Sequence, residues 1–317
     1  GKLQDFKVDD IYNLDGQLDV KIAAPGALRR QQTTYWGIRD SNWFVDFPTS
    51  SAKILDFFDK TTGILADGIL SFTPDVFEKF LAITGPVPMP EYNETLSAQN
   101  FRGVVQYKTS IDYDSVENEP KKFLADFAPR MLERLGGLSK KQWLELVNEL
   151  IVLVSEKQIL AYSVTPETEA EIVKYNAAGE IKRTRGDYLA IFHSNVGGGK
   201  TDQEISQKVE KKISIDSGGL AIAKLRVTRA HQSFGEKYFP KNLDYMRVLV
   251  PAGAKLLEAN GFDDYPLLSP KIDGAISDPD LEVLHSKITR DENTKMYIGM
   301  ESGYAEFSNW LELSPGE

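Results

Sequence analysis

The 317-residue chain is 41% hydrophobic, enough to bury one or two cores at about 100 to 200 residues per domain. A formal charge of −10 and a pI near 5.0 disfavour a broad nucleic-acid footprint, leaving room only for a local basic pocket. The absence of cysteine removes disulfides, thiolate nucleophiles and cysteine metal sites.

The chain opens on strand-like sequence, with short strands expected at Leu3 to Val8 and Gln17 to Ile22. No charged segment followed by an apolar stretch stands at its start, and the chain reads as a fragment. Tyr35 to Val87 then reads as a βαβα unit. Tyr35 to Ile38 is a short apolar run expected to be a buried strand, so Arg39 and Asp40 would emerge at its carboxyl end, where open α/β sheets bind ligands. Pro48, Thr49, Ser50 and Ser51 start a helix that Thr62 and Gly63 end. Asp67 to Phe72 supplies the next strand, in a parallel crossover, and Thr73-Pro74 starts a helix stopped by Gly85-Pro86.

Phe101 to Lys108 is expected to be another strand. Two helices follow, one from about Pro120 to Leu135 with a Pro129 kink, the other opened by a Ser139 and Gln142 capping box. The second is apolar over a wide arc through Trp143, Leu146, Val147, Leu150, Ile151 and Val154, which predicts a central place in the core. Ile159 to Val164 reads as a strand, and Thr165-Pro166 starts a short helix to about Tyr175. Beyond Gly179 the texture turns to strands at Tyr188 to His193, Gly219 to His231, Tyr245 to Val250, Leu281 to Ile288, Lys295 to Met300 and Tyr304 to Leu313. The expected organisation is a mixed α/β domain over 1–180 and a β-rich, sandwich-like domain over 181–317.

Candidate chemistry centres on Arg39, Asp40 and Asp46. Arg39 could clamp a phosphate or carboxylate through its planar fork while the acids hold a divalent metal; a structural ion pair at a strand end is the simpler alternative. Trp43 could stack on a sugar or prenyl chain, though core packing accounts for such aromatics equally simply. Asp112 and Asp114 imitate the paired acids of metal-dependent sugar transferases. Lys121 and Lys122 sit at a helix start, where cations oppose the macrodipole, so either an anion or solvation would explain them. The "NVGGGKTD" loop lacks the first glycine of a phosphate-binding loop, Ser194 standing there, and reads as a tight turn. His193, His231 and His285 show no metal-ligand spacing and no GxSxG elbow occurs, which excludes a zinc enzyme or triad hydrolase of the usual pattern; His193 and His231 are expected at strand ends.

The blocks "RDSNWFVDFPTSS", "DGILSFTPDVFEKFLAITGPV", "NVGGGKTD" and "YMRVLVPAGAKLL" resemble, in order, those of the bacterial envelope-associated family of unknown function DUF4012. That resemblance implies an extracytoplasmic protein tethered by a membrane helix upstream of Gly1. The first half is also remotely similar to the LytR-CpsA-Psr phosphotransferases, which move glycopolymers from polyprenyl-pyrophosphate carriers. The similarity implies pyrophosphate binding at Arg39 and Asp40, magnesium held by Asp40 and Asp46, and phosphate contacts from Lys121 and Lys122 in place of the family's arginines. Two functions are therefore expected as rivals: binding or transfer of a lipid-linked or wall glycopolymer, and a non-catalytic surface scaffold for adhesion or assembly.

Overall fold

The computed structural model describes residues 7–30, 32–110, 112, 121–233, 240–269 and 271–317. It is mixed α/β, built from several small antiparallel sheets and helices in two compact units. One unit is formed by residues 1–19 and 37–181, the other by 20–36 and 182–317.

The first unit runs through α1 (Ile11–Asp15), α2 (Phe47–Thr62), β1 (Gly68–Phe72), α3 (Pro74–Thr84), β2 (Val87–Met89), β3 (Glu94–Leu96), α4 (Phe101–Ser110), α5 (Lys122–Gly136), α6 (Lys140–Ser155), β4 (Ile159–Ser163) and α7 (Pro166–Lys174). Its core gathers Leu81, Val87, Met89, Leu96, Phe101, Phe123, Phe127 and Met131, with Phe77, Phe101 and Phe127 ring against ring. Start and stop signals act as the residue types dictate. Asp46 caps α2 and left-handed Gly63 ends it, and Ser139 and Gln142 complete the capping box of α6.

Five expectations are corrected here. Tyr35 to Ile38 is not a strand: Tyr35 makes one isolated bridge to Ala23, Gly37 breaks the run, and Ile38–Asp40 is a 3-10 turn. No parallel crossover forms, because β1 pairs antiparallel with β4, Gly68 opposite Ser163. Phe101 to Lys108 is the helix α4, since Phe101, Val104 and Val105 recur at helical spacing and pack on the core, overriding the β-branched preference. And α6 buries only Leu146 and Leu153, leaving Trp143, Leu144, Val147 and Ile151 exposed along one face. The expected strand at Gln17 to Ile22 is reduced to an isolated bridge from Ile22 to Ile276. Residues 3–6 of the first expected strand, and Asp114, lie outside the described residues.

The second unit contains β5 (Ala190–Phe192), β6 (Ile205–Ile215), β7 (Ala221–His231), β8 (Asn242–Val250), α8 (Pro279–His285), β9 (Thr289–Arg290), β10 (Tyr297–Glu301) and β11 (Tyr304–Leu313). Five strands form one antiparallel sheet in the order β5-β8-β11-β10-β9, while β6 and β7 form a separate two-stranded hairpin. The expected strand at Leu281 to Ile288 is instead α8, started by Asp278 accepting from the Asp280 and Leu281 amides with Pro279 at the first position. Gly26 lies so close to the Leu268 carbonyl that a Cβ there would overlap it. Arg30 lies flat over Tyr265, 3.6 Å from its ring centre.

Strands β8 and β11 are buried along nearly their whole length, and one sheet face carries charge in that dry setting. Arg247 pairs with Glu301 at 3.3 Å, and Glu306 lies beside them. Burial, the largest cause, pushes the Glu306 carboxyl up; Arg247 opposes the shift, Glu301 adds to it, and the result is about 7. Because the folded value exceeds the ordinary 4.5, this proton stabilises the fold fully below the unfolded value and the contribution is lost as pH rises through about 7. Protection of the β8 and β11 amides in hydrogen exchange, corrected for intrinsic rate, should fall between pH ~4.5 and ~7 by at most about 3 kcal/mol. Glu306→Gln should flatten that component.

Candidate functional site

The Arg39 and Asp40 pair is held by residues that the sequence places far from it. Asp15, the last residue of α1, turns its carboxylate onto the open end of the 3-10 turn, accepting from the Ile38 amide at 2.7 Å and the Arg39 amide at 3.3 Å. Gly37 makes room for this: a Cβ there would fall 2.5 Å from Asp15 Oδ1 and 2.8 Å from its Cγ. Burial, the largest cause, pushes the Asp15 carboxyl up in spite of the two amides.

With its backbone fixed, Arg39 turns Nε and Nη2 onto Asp40 Oδ2, at 3.0 and 2.8 Å. Its guanidinium lies over Tyr12 at 4.9 Å. The side chains retain 23% and 10% of their exposure, so the pair is half-buried and internally neutralised. An arginine whose fork already embraces a carboxylate offers an incoming anion little uncompensated charge.

Asp46 is also spent on the fold. Its Oδ2 accepts from the Thr49 amide and hydroxyl, and its Oδ1 accepts from the Ile181 amide at 2.9 Å. Trp43 is only 6% exposed, with Phe44 and Val45 buried beside it in the chain. The Ser50 hydroxyl donates to the Phe44 carbonyl, tying this loop to α2.

Lys121 and Lys122 stand at the start of α5, whose contacts are with α4 and β2, whereas the 3-10 turn of Arg39 packs on α1 and α2. Lys122 faces Asp126 at 3.9 Å. Asp112 pairs with Lys108. The sequence candidates thus separate into a neutralised pair, a helix cap, a core aromatic and a helix start. Among the described residues no group of three His, Asp or Glu side chains is placed to hold a metal. Asp40 Oδ2 and both oxygens of Asp46 already accept from protein donors, an arrangement that does not fit a magnesium site.

A second polar cluster escaped the sequence. His193, directly after β5, sets Nδ1 2.6 Å from Asp244 Oδ2; Arg229 Nη1 reaches the same oxygen at 2.7 Å and the Ser194 amide donates to Oδ1. Asp244 is fully buried, so these three donors compensate its charge. His193 Nε2 is buried without a hydrogen-bond partner among the described residues. Among the described residues no hydroxyl hydrogen-bonds His193 Nε2 to complete a nucleophilic triad. The pairing joins positions about fifty residues apart in the chain, and no local motif announces it.

The glycine turn is organised by amides. Asn195 Nδ2 donates to the Gly198 carbonyl, Thr201 and Asp202, and Asn242 donates to Thr201 and Asp202. Gly198, Gly199 and Lys200 all take positive φ.

Residues 5–109 match the model of a family described as a protein of unknown function, DUF4012. The matching segment covers about a third of the chain. That segment contains Asp15, Gly37, Arg39, Asp40, Trp43 and Asp46, but neither Lys121 nor Lys122. No curated protein and no solved structure matches the chain.

Gly37→Ala should displace the Asp15 carboxylate and cost about 1 to 3 kcal/mol, the order of a buried acceptor losing its donors. Chemical denaturation of the variant checks this, and Asp15→Asn, which keeps one acceptor oxygen, should cost less.

Proposed function

We propose that this protein is a non-catalytic module of the bacterial cell surface, its α/β unit serving as scaffold, rather than a glycopolymer transferase. One observation carries the reading: the guanidinium that would have to meet a pyrophosphate is neutralised by the carboxylate next to it. The exposed face of α6, with Trp143, Leu144, Val147 and Ile151, supports it from another side, since a row of large apolar side chains in water marks a contact surface. An extracytoplasmic, membrane-tethered location is part of the proposal and rests on the family resemblance. No helix among the described residues is long and apolar enough to cross a membrane, so the proposed tether would lie outside this chain.

The second reading is glycopolymer binding or transfer on a LytR-CpsA-Psr-like domain followed by a sandwich-like one. Its support is the remaining exposure of the Arg39 side chain. Magnesium-dependent binding of a prenyl pyrophosphate would then require Asp40 to let go of Arg39 and take the metal.

Calorimetric titration of the chain with farnesyl pyrophosphate and magnesium chloride separates the two. The scaffold reading predicts no saturable binding, in the wild type as in Arg39→Ala. Saturable, magnesium-dependent binding that Arg39→Ala weakens would overturn it.

A further inference from the structure

The hairpin of β6 and β7 stands apart from the rest of its unit in both exposure and charge. Its eleven residue pairs run from Ile205 opposite His231 to Ile215 opposite Ala221, an arm of about 35 Å at ~3.3 Å per residue. Directly paired residues share a face. One face therefore carries Val209, Ile213 and Ile215 opposite Val227, Ala223 and Ala221, with Lys211 and Leu225 paired between them and Gln207 and Arg229 nearer the base. The other carries Lys208, Glu210 and Lys212 opposite Thr228, Arg226 and Lys224, with Ser214 and the exposed Ile222 next to the turn.

An isolated two-stranded sheet is marginal in water, and this one leaves its apolar face open. Val209 is 41% exposed, Ile213 47%, Ile215 70% and Leu220, in the turn, 63%. Arg229 near the base pairs with Asp244, and Lys211, just past the middle of the arm, pairs with Asp187. The turn is ordered, because Asp216 accepts from the Gly218 and Leu220 amides. Six basic and two acidic residues give residues 205–231 a net charge of +4 inside a chain of −10. Lys212, Lys224 and Arg226 are exposed on the polar face.

A protruding apolar tip flanked by cations is what an anionic lipid surface selects. We propose that the tip of the β6-β7 hairpin docks on a bilayer of anionic lipid, dipping Ile213, Ile215, Leu220 and Ile222 into the headgroup boundary while Lys212 and Lys224 beside them, with Arg226, meet lipid phosphates. The outer edges of both strands keep unpaired backbone groups, which confines the arm to the interface and out of the hydrocarbon. Charge complementarity favours lipid over a second hairpin, since arms that stay net positive after the Lys211 and Arg229 pairs repel each other. This goes beyond the scaffold reading and does not depend on Arg39.

The test is sedimentation of the whole chain with vesicles of phosphatidylglycerol and phosphatidylcholine, against vesicles of phosphatidylcholine alone. Binding is expected only to the anionic vesicles, weakened by salt and by about fivefold for each of Lys212, Lys224 and Arg226 changed to Gln. Ile213→Ser with Ile215→Ser should also weaken it, with circular dichroism checking that the fold persists. Three results would overturn the proposal: no binding to anionic vesicles, binding indifferent to the Gln changes, or self-association of the chain that the Ile changes abolish while lipid binding is absent.

Discussion

Arg39 and Asp40 neutralise each other, and Asp15 fixes the backbone that brings them together. Everything functional in the first unit follows from that constraint. A carboxylate at the open end of a single 3-10 turn satisfies amides that would otherwise be orphaned, and the turn then aims the guanidinium at its own neighbour. Gly37 is the steric condition for this, because any side chain there would occupy the space of the Asp15 carboxylate. The "RDSNWFVDFPTSS" block is thereby a folded loop: an ion pair, three buried residues at Trp43 to Val45, and a helix cap.

Legibility in the sequence depended on how local the determining interaction was. The capping box of α6, the Pro129 position inside α5, the Thr165-Pro166 start of α7 and the β11 strand are encoded within a few residues, and they stand where spacing and residue type put them. The Tyr35 run was misread because apolar content cannot show that Gly37 must yield to a carboxylate from α1. Helix α4 was misread because Val104 and Val105 suggest a strand until the core of α3 and α5 selects their helical face. The buried charges, Asp244 with His193 and Arg229, Glu306 with Arg247 and Glu301, depend on strand register between distant segments and left no trace in any window. By contrast the alternation of Ile205, Val209, Ile213 and Ile215 with Lys208 and Lys212 marks β6 openly, although no strand is expected there in the reading above.

The two units spend their charge differently. In the first, the candidate ligand-binding groups are consumed by local structure. In the second, ionisable groups are taken deep into the sheet, while four exposed cations, Lys208, Lys212, Lys224 and Arg226, stand together on one face of a hairpin. A chain of net −10 that keeps Lys208, Lys212, Lys224 and Arg226 exposed on one arm holds a surface suited to an anionic neighbour, and that arm carries the only long strands of the described residues with so little burial.

The most direct measurement on the central interaction is a double-mutant cycle between Arg39 and Asp40, with Arg39→Gln, Asp40→Asn and the pair compared by denaturant unfolding. A half-buried, two-point ion pair predicts a favourable coupling of about 1 to 2 kcal/mol. Additive effects, with coupling near zero, would contradict a guanidinium committed to its neighbour and leave it available to an anion.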